Sequence, residues 1–341
     1  MEKLLSIAVP SYNSEAYLAK CLDSMICGGA ELDVIIVNDG STDGTAELAQ
    51  TYVDRYPEIF RLVNKENGGH GSGVNKGIEL ARGRFFRVVD SDDWVGEEAL
   101  LKLLDYIRGM SSPEDTPDML ITNYIYEYTY NDSRRTVDYR KIFKKEKSLH
   151  SWKDLGFIKI DQVFAMHSLN YRTEVLRQSG LKLPEHCFYV DNLFDYIPLP
   201  WVDSIAWLDV ELYHYFIGRD DQSVHTPVMI KRIDQQLRVT YLMIEAYHLE
   251  EEIKDKYKRR YMYRWLSLII MISQIHLTLA DTTESLQKIT DMWQHLKDHD
   301  AQMYRKVRSS FVNIMTNLPG KLGRYIDRKG FFIAQKIFKF S

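Results

Sequence analysis

The sequence predicts an α/β fold: a Rossmann-like nucleotide-binding sheet in residues 1–225, followed by a helical accessory domain in 226–341. Three observations carry this. Short β-branched runs alternate with amphipathic helical stretches through the first hundred residues, the pattern of right-handed βαβ units around a parallel sheet. Each run ends abruptly in polar residues. After about Thr226 the chain turns to long segments rich in Leu, Ile, Met, Glu, Lys and Gln, with no glycine before Gly320.

Leu4 to Val9 reads as the first strand and ends at Pro10-Ser11-Tyr12-Asn13. A helix follows, with Tyr17, Leu18, Cys21, Leu22 and Met25 on one face. Asp33 to Val37 is a second strand, closed by the polar loop 38–44, and Phe60 to Val63 is a third. Asn67 to Gly77 holds five glycines, reads as a flexible turn and leads to a helix from about Ile78. It has no Gly-Lys-Ser/Thr, and Val74 stands where a dinucleotide loop needs its third glycine.

Phe85 to Val89 is a strand that runs into Asp90-Ser91-Asp92-Asp93. Carboxylates at the carboxyl end of a strand stand where open α/β sheets bind ligands. Asp90 and Asp92, two apart, can be aimed at one hard divalent cation that in turn holds a diphosphate. The competing use is capping of the helix announced by Glu97, Glu98 and the spacing of Leu100, Leu101, Leu104 and Ile107, a task for one acid, Asp93. An EF-hand is excluded because Val95 and Leu101 occupy the positions that need Gly and Glu.

Val-Pro-Ser-Tyr-Asn (9–13), Val-Asn-Asp-Gly-Ser-Thr-Asp-Gly-Thr (37–45), Asn-Gly-Gly-His-Gly-Ser-Gly-Val-Asn-Lys-Gly-Ile (67–78) and Val-Asp-Ser-Asp-Asp-Trp (89–94) occur in this order. The series resembles the family 2 glycosyltransferases, inverting enzymes with the A-type glycosyltransferase fold. The likeness continues more loosely through Cys187-Phe-Tyr-Val-Asp191-Asn-Leu-Phe and Leu-Tyr-His-Tyr-Phe (212–216).

The resemblance implies a nucleotide-sugar donor, a UDP-sugar in most members, and Mn or Mg as cofactor. It places Pro10 and Tyr12 against the base and Asp39 as an acceptor from it. Asn67 frames the nucleotide, Asp90 and Ser91 lie near ribose and diphosphate, Asp92 with Asp90 holds the metal, and Asp191 is the general base. Read alone, Tyr12 and Pro10 suit strand-end packing, Asp39 an Asx turn and Asp191 a helix cap. Two departures stand out. Val190 replaces a glutamate that many members carry, and Val74 replaces an arginine, leaving Lys76 as the nearby cation. A lysine is a point charge without the bidentate fork of arginine.

The acceptor implied is a glycan or lipid-linked glycan of a surface polysaccharide. A nucleotidyltransferase of sugar-nucleotide metabolism shares the sheet and the acids; a non-catalytic sugar-nucleotide-binding protein is the third alternative, opposed by the intact Asp90, Asp92 and Asp191. His214 and His225 lie where the likeness fades; a lone histidine there is more often a packed or exposed residue, and approach to the metal from the far side is the alternative.

Composition agrees with a globular enzyme: 341 residues, 45% hydrophobic, can bury a large core. A net charge of −4 gives no general case for nucleic-acid binding. Cys21, Cys27 and Cys187 form no Cys-x-x-Cys pair, which suits buried thiols in a reducing compartment. Met1-Glu2-Lys3 runs straight into the first strand without a leader pattern, so a cytoplasmic location is expected, with or without peripheral contact at the inner face of the membrane. Trp265 to Leu279 is too short and polar to span a bilayer and reads as a buried or interface helix.

Tyr124, Tyr126, Tyr128 and Tyr130 alternate along one strand face, which suits cross-strand packing or stacking on sugar rings. The basic run Arg134 to Lys147 reads as a solvated loop or edge. The helical region is open to three uses: completing the acceptor site, forming a homo-oligomer, or approaching a membrane. Its last stretch, 321–341, mixes six basic residues with aromatic and aliphatic ones, the composition of an interfacial anchor or of a tail packed on the protein itself.

Overall fold

The computed structural model describes residues 2–128, 133–159, 162–217, 225–318 and 320–338, and divides into two compact units, 1–218 and 219–341. The division falls seven residues before the boundary expected at 225.

Among the described residues, the first unit is built on one nine-stranded sheet: β1 (Leu5–Ser11), β2 (Leu32–Asp39), β3 (Phe60–Lys65), β4 (Phe85–Val88), β5 (Trp94–Val95), β6 (Met119–Tyr128), β7 (Ser133–Val137), β8 (Leu169–Arg172) and β9 (Ile205–Ile217). The strand order is 3-2-1-4-8-6-9-5, with β7 beside the outer half of β6. β3, β2, β1 and β4 run parallel. Every residue of β1, β2 and β4 is buried, as expected for parallel strands covered on both faces. The helices of this unit are α1 (Glu15–Asp23), α2 (Thr45–Arg55), α3 (His70–Leu80), α4 (Glu97–Arg108), α5 (Thr173–Gln178) and α6 (Asp191–Tyr196). An α/β sheet with the A-type arrangement, followed by helices, is what the sequence predicted.

Two local expectations are corrected. The glycine-rich segment is not a turn before a helix: α3 begins at His70 and contains Gly71, Gly73 and Gly77. Small residues let this helix lie close on β1, since a Cβ on Gly77 would stand 2.4 Å from that of Ala8, and one on Gly73 2.9 Å from that of Pro10. Packing outweighs the roughly 1 kcal/mol helix penalty of each glycine. Asp93 is not the cap of α4, whose N-cap is Gly96; it is 1% exposed and faces inward.

Tyr124, Tyr126 and Tyr128 lie in β6, and Tyr130 lies outside the described residues. Tyr126 packs on Tyr124, Tyr128 and, across the strand pair, Tyr215. Part of the basic run forms the edge strand β7. Cys21, Cys27 and Cys187 are free thiols; Cys27 is half-buried rather than buried.

The second unit is helical: α7 (Thr226–Lys231), α8 (Ile233–Glu245), α9 (Leu249–Glu252), α10 (Lys256–Ala280), α11 (Thr283–His299), α12 (Ala301–Arg308), α13 (Phe311–Met315) and α14 (Gly320–Phe338). Its centre is α10, where two buried polar side chains pair with neighbouring helices: Thr240 and Ser273 hydroxyls meet at 2.8 Å, and Trp293 Nε1 donates to Gln274 Oε1 at 2.7 Å. That is the buried helix expected around Trp265 to Leu279. No helix among the described residues is long and apolar enough to cross a membrane.

Candidate active site

The carboxyl ends of β1, β2 and β4 meet the N-terminus of α3, and hydrogen bonds between loops fix how they meet. Asn13, with a left-handed φ of 48°, accepts from Thr42 N at 2.9 Å and donates its own N–H to Ser41 Oγ at 3.0 Å. Ser14 and Ser91 hydroxyls lie 2.7 Å apart, tying the first strand's loop to the acidic turn. Pro10 is buried at the end of β1, and Tyr12 is 54% exposed beside it, so an aromatic face is available to a planar ligand.

Asp39 is buried at the end of β2. Its Oδ1 accepts from Lys65 Nζ at 2.7 Å, Gly68 N at 2.9 Å and Ser72 Oγ at 3.2 Å, and its Oδ2 accepts from Gly69 N at 2.7 Å. Asn67 Nδ2 donates to the Asp39 carbonyl at 2.8 Å. The carboxylate thus builds the entry to α3, and a base reaching it has to share oxygens already in use. Lys76 points elsewhere, pairing with Glu79 at 2.8 Å one turn along α3.

His70, the first residue of α3, is the side chain of this helix that meets the acidic turn: its Nε2 lies 2.8 Å from Asp90 Oδ1. Burial would lower its pKa, but Asp90, with Asp191 and Asp92, holds it above the usual histidine value. Burial likewise opposes ionisation of Asp90, and the imidazole of His70 outweighs it, keeping that carboxyl below the ordinary range. Asp93 accepts from Tyr213 Oη at 2.5 Å and Phe216 N at 2.8 Å. Burial and the charges of Asp92 and Asp90 push its carboxyl well up.

Ligating atoms of Asp90, Asp93 and His167 come within 4.8 Å of one another. His167 enters from the short turn Met166–Ser168 ahead of β8. Its ring lies 4.6 Å from Tyr215 and 4.8 Å from Tyr213, and Nδ1 is buried without a hydrogen-bond partner among the described residues. Burial drops its pKa to about 4, so the imidazole is neutral at physiological pH and retains a lone pair for a metal. Crowded carboxylates with one neutral imidazole fit an oxygen-preferring divalent cation. Asp92 is half-buried within the same turn, outside this three-residue cluster.

His214 is not brought into that cluster: its Nδ1 pairs with Glu127 at 2.7 Å and its ring stacks on Trp94 at 5.4 Å. His225 is the N-cap residue of α7 in the second unit.

Asp191 opens α6 and is reached through a segment stitched to α3. Asn75 exchanges hydrogen bonds with the backbone of Leu183 at 2.8 and 2.9 Å, and His186 N donates to the Gly68 carbonyl at 2.6 Å. His186 and Tyr189 adopt left-handed φ values of 49° and 65° just before Asp191. Non-glycine residues rarely adopt that conformation, which costs about 1–3 kcal/mol where the surroundings enforce it. Burial raises the Asp191 carboxyl, with His70 working against the rise and Asp90 adding to it. A half-buried carboxyl of raised pKa therefore stands in the field of His70 and the acidic cluster.

Sequence reading missed His70, Asp93 as an inward-facing acid, His167 and Tyr213. A signal existed for His70, a histidine directly after the strand-end glycines, and for Tyr213 within Leu-Tyr-His-Tyr-Phe. None existed for His167, 77 positions from Asp90.

Residues 6–166 match glycosyl transferase family 2. The MG025 homolog of Mycoplasma pneumoniae, described as an uncharacterized glycosyltransferase, is 41% identical over 229 residues, 66% of this chain and 71% of that protein. EpsH of Bacillus subtilis is 28% identical over 239 residues, 68% of this chain and 64% of EpsH, so the chain spans just under two thirds of that relative. Among solved structures, residues 1–349 of S. aureus TarS in complex with UDP-GlcNAc superpose with a TM-score of 0.67 at 19% identity, covering 98% of this chain and 91% of TarS 1–349; this likeness is one of fold.

Proposed function

The chain belongs to glycosyl transferase family 2, and from that premise we propose that it is a metal-dependent inverting transferase moving a sugar from a UDP-sugar to a hydroxyl of a surface polysaccharide or glycolipid. The observation that supports the mechanism is the gathering of the Asp90 turn, His70 and Asp191: His70 pairs with Asp90 at 2.8 Å, and both act electrostatically on the Asp191 carboxyl. TarS, crystallised with UDP-GlcNAc, supports the choice of a uridine donor.

Tyr12 and Pro10 form the wall for the base, and Asn67 and Asp39 hold the glycine-rich entry to α3 beside it. Ser91 and Asp90 lie toward the ribose and diphosphate, while Lys76 on α3 is assigned a weak, long-range electrostatic part. Asp90 and Asp92 would hold Mn or Mg, with Asp93 and His167 completing the donor set around Asp90. When bound, such a cation stabilises the charge that develops on the departing diphosphate. Asp191 takes the proton of the acceptor hydroxyl as that oxygen attacks the anomeric carbon in line, so configuration inverts in one displacement.

A panel of nucleotide sugars, each with Mn or Mg and a glycan or lipid-linked acceptor, tests this. Release of free UDP with an inverted product is expected. Release of pyrophosphate would instead identify a nucleotidyltransferase, and binding without turnover a non-catalytic sugar-nucleotide-binding protein.

A further inference from the structure

α13 and the first half of α14 leave Phe311, Ile314, Met315, Leu322, Tyr325 and Ile326 exposed, with Phe311 at 77% and Leu322 at 72%. These are six of the fifteen exposed large hydrophobic residues among the described residues, gathered into sixteen positions. They stand in a strongly basic stretch: residues 301–341 carry nine Lys and Arg against Asp327 as their one acid, whereas the preceding 300 carry 35 basic and 47 acidic residues. Other parts of the same helices are fixed inward. Asn313 Nδ2 donates to the Ser267 carbonyl at 3.2 Å, Phe331 meets the His276 ring edge-on at 5.8 Å, and Arg328 pairs with Asp281.

The structure assigns α13 and α14 a surface for binding an anionic lipid bilayer, independently of which sugar the first unit transfers. Inward packing of Phe331 and outward presentation of Leu322, Tyr325 and Ile326 coexist, so the helix is docked on its own unit and still offers an apolar, basic face. That combination is what seats an amphipathic helix at the boundary between headgroups and acyl chains. A second copy of the chain is the poorer occupant, because pairing the two surfaces opposes two segments (311–338) that each carry a net charge of +4. The surface also begins at α13, upstream of the tail that composition alone singles out. Lys339 and Phe340 of that tail lie outside the described residues.

The test is sedimentation of the full chain with vesicles of phosphatidylcholine alone or mixed with phosphatidylglycerol, at low and high salt. Binding only to the mixed vesicles, lost at high salt, is expected. Basic residues near an anionic surface are worth about 1 kcal/mol each, about fivefold in a binding constant. Arg324→Gln combined with Lys329→Gln, both on α14, should therefore lower partitioning about twenty-five-fold. Phe311→Glu with Leu322→Glu should abolish it while leaving circular dichroism and UDP affinity unchanged, since both residues project into solvent. Wild-type protein that ignores the mixed vesicles, or well-folded variants that partition like wild type, would overturn the assignment. So would a dimer in analytical ultracentrifugation, dissolved by Phe311→Glu, in protein that binds no vesicle.

Discussion

Asp191 and Asp195 stand one helical turn apart on α6, and burial raises both carboxyls, yet they are suited to different tasks. Asp191 lies in the field of His70 and Asp90, whereas Asp195 is 3% exposed and its Oδ1 has no hydrogen-bond partner among the described residues. Replacing Asp191 by Asn keeps its shape and removes the base, so transfer should fall about 10²–10⁴-fold, with UDP affinity by calorimetry near wild type. Near-normal transfer would remove Asp191 from the mechanism. Asp195 makes a prediction about stability. A carboxyl with a raised folded pKa contributes stability that is complete below its unfolded value, near 3.8, and lost as pH rises through the folded value. Asp195→Asn has no such loss, so its thermal midpoint relative to wild type should climb as pH is raised from about 4 to neutrality. A difference that stays flat or falls contradicts the buried placement that raises this carboxyl.

α3 shows what an element gains by breaking its own propensity. Ala is about 1 kcal/mol better than Gly in a helix interior, but a methyl on Gly77 would stand 2.4 Å from Ala8 Cβ and 3.4 Å from the Phe86 ring. Overpacking of this kind costs about 1–3 kcal/mol, so Gly77→Ala should lower the urea midpoint without changing the slope of the transition; a rise would mean that α3 can move away from β1 cheaply. The same helix marks where sequence reading reaches its limit. The first four strands were legible because their side chains answer to local rules of burial and alternation. The start of α3 was not, because glycines that normally interrupt a helix are here selected by contact with Pro10 and Ala8, some sixty positions earlier. Likewise Asp93 reads locally as a cap, and only the return of β9 brings the Tyr213 hydroxyl and Phe216 amide to it. His167 reaches the acidic turn through pairing of β8 with β4, which no local pattern announces.

At the scale of the molecule, every residue assigned to donor, metal or base lies within 1–218, and the basic apolar surface lies within 219–341. Ligand effects should divide the same way. At a concentration of about 100 Kd, a ligand that binds only the native state adds about 2.7 kcal/mol. Amides that exchange only from the ligand-free form should then slow about a hundredfold. Hydrogen exchange of the full chain with UDP and Mn should therefore show new protection at residues 11–14, 38–42, 67–71 and 90–94, the loops that the Asn13–Thr42, Asp39–Gly69 and His70–Asp90 contacts already join. Amides of α10 and α14 should be unchanged. Because Asp92 is proposed to hold the metal and not the base or the acceptor, Asp92→Ala should remove the part of this protection that depends on Mn while leaving the weaker metal-free part. An Asp92→Ala protein that keeps full Mn-dependent protection would move the metal to Asp90, Asp93 and His167 alone, the three groups whose ligating atoms the fold brings within 4.8 Å.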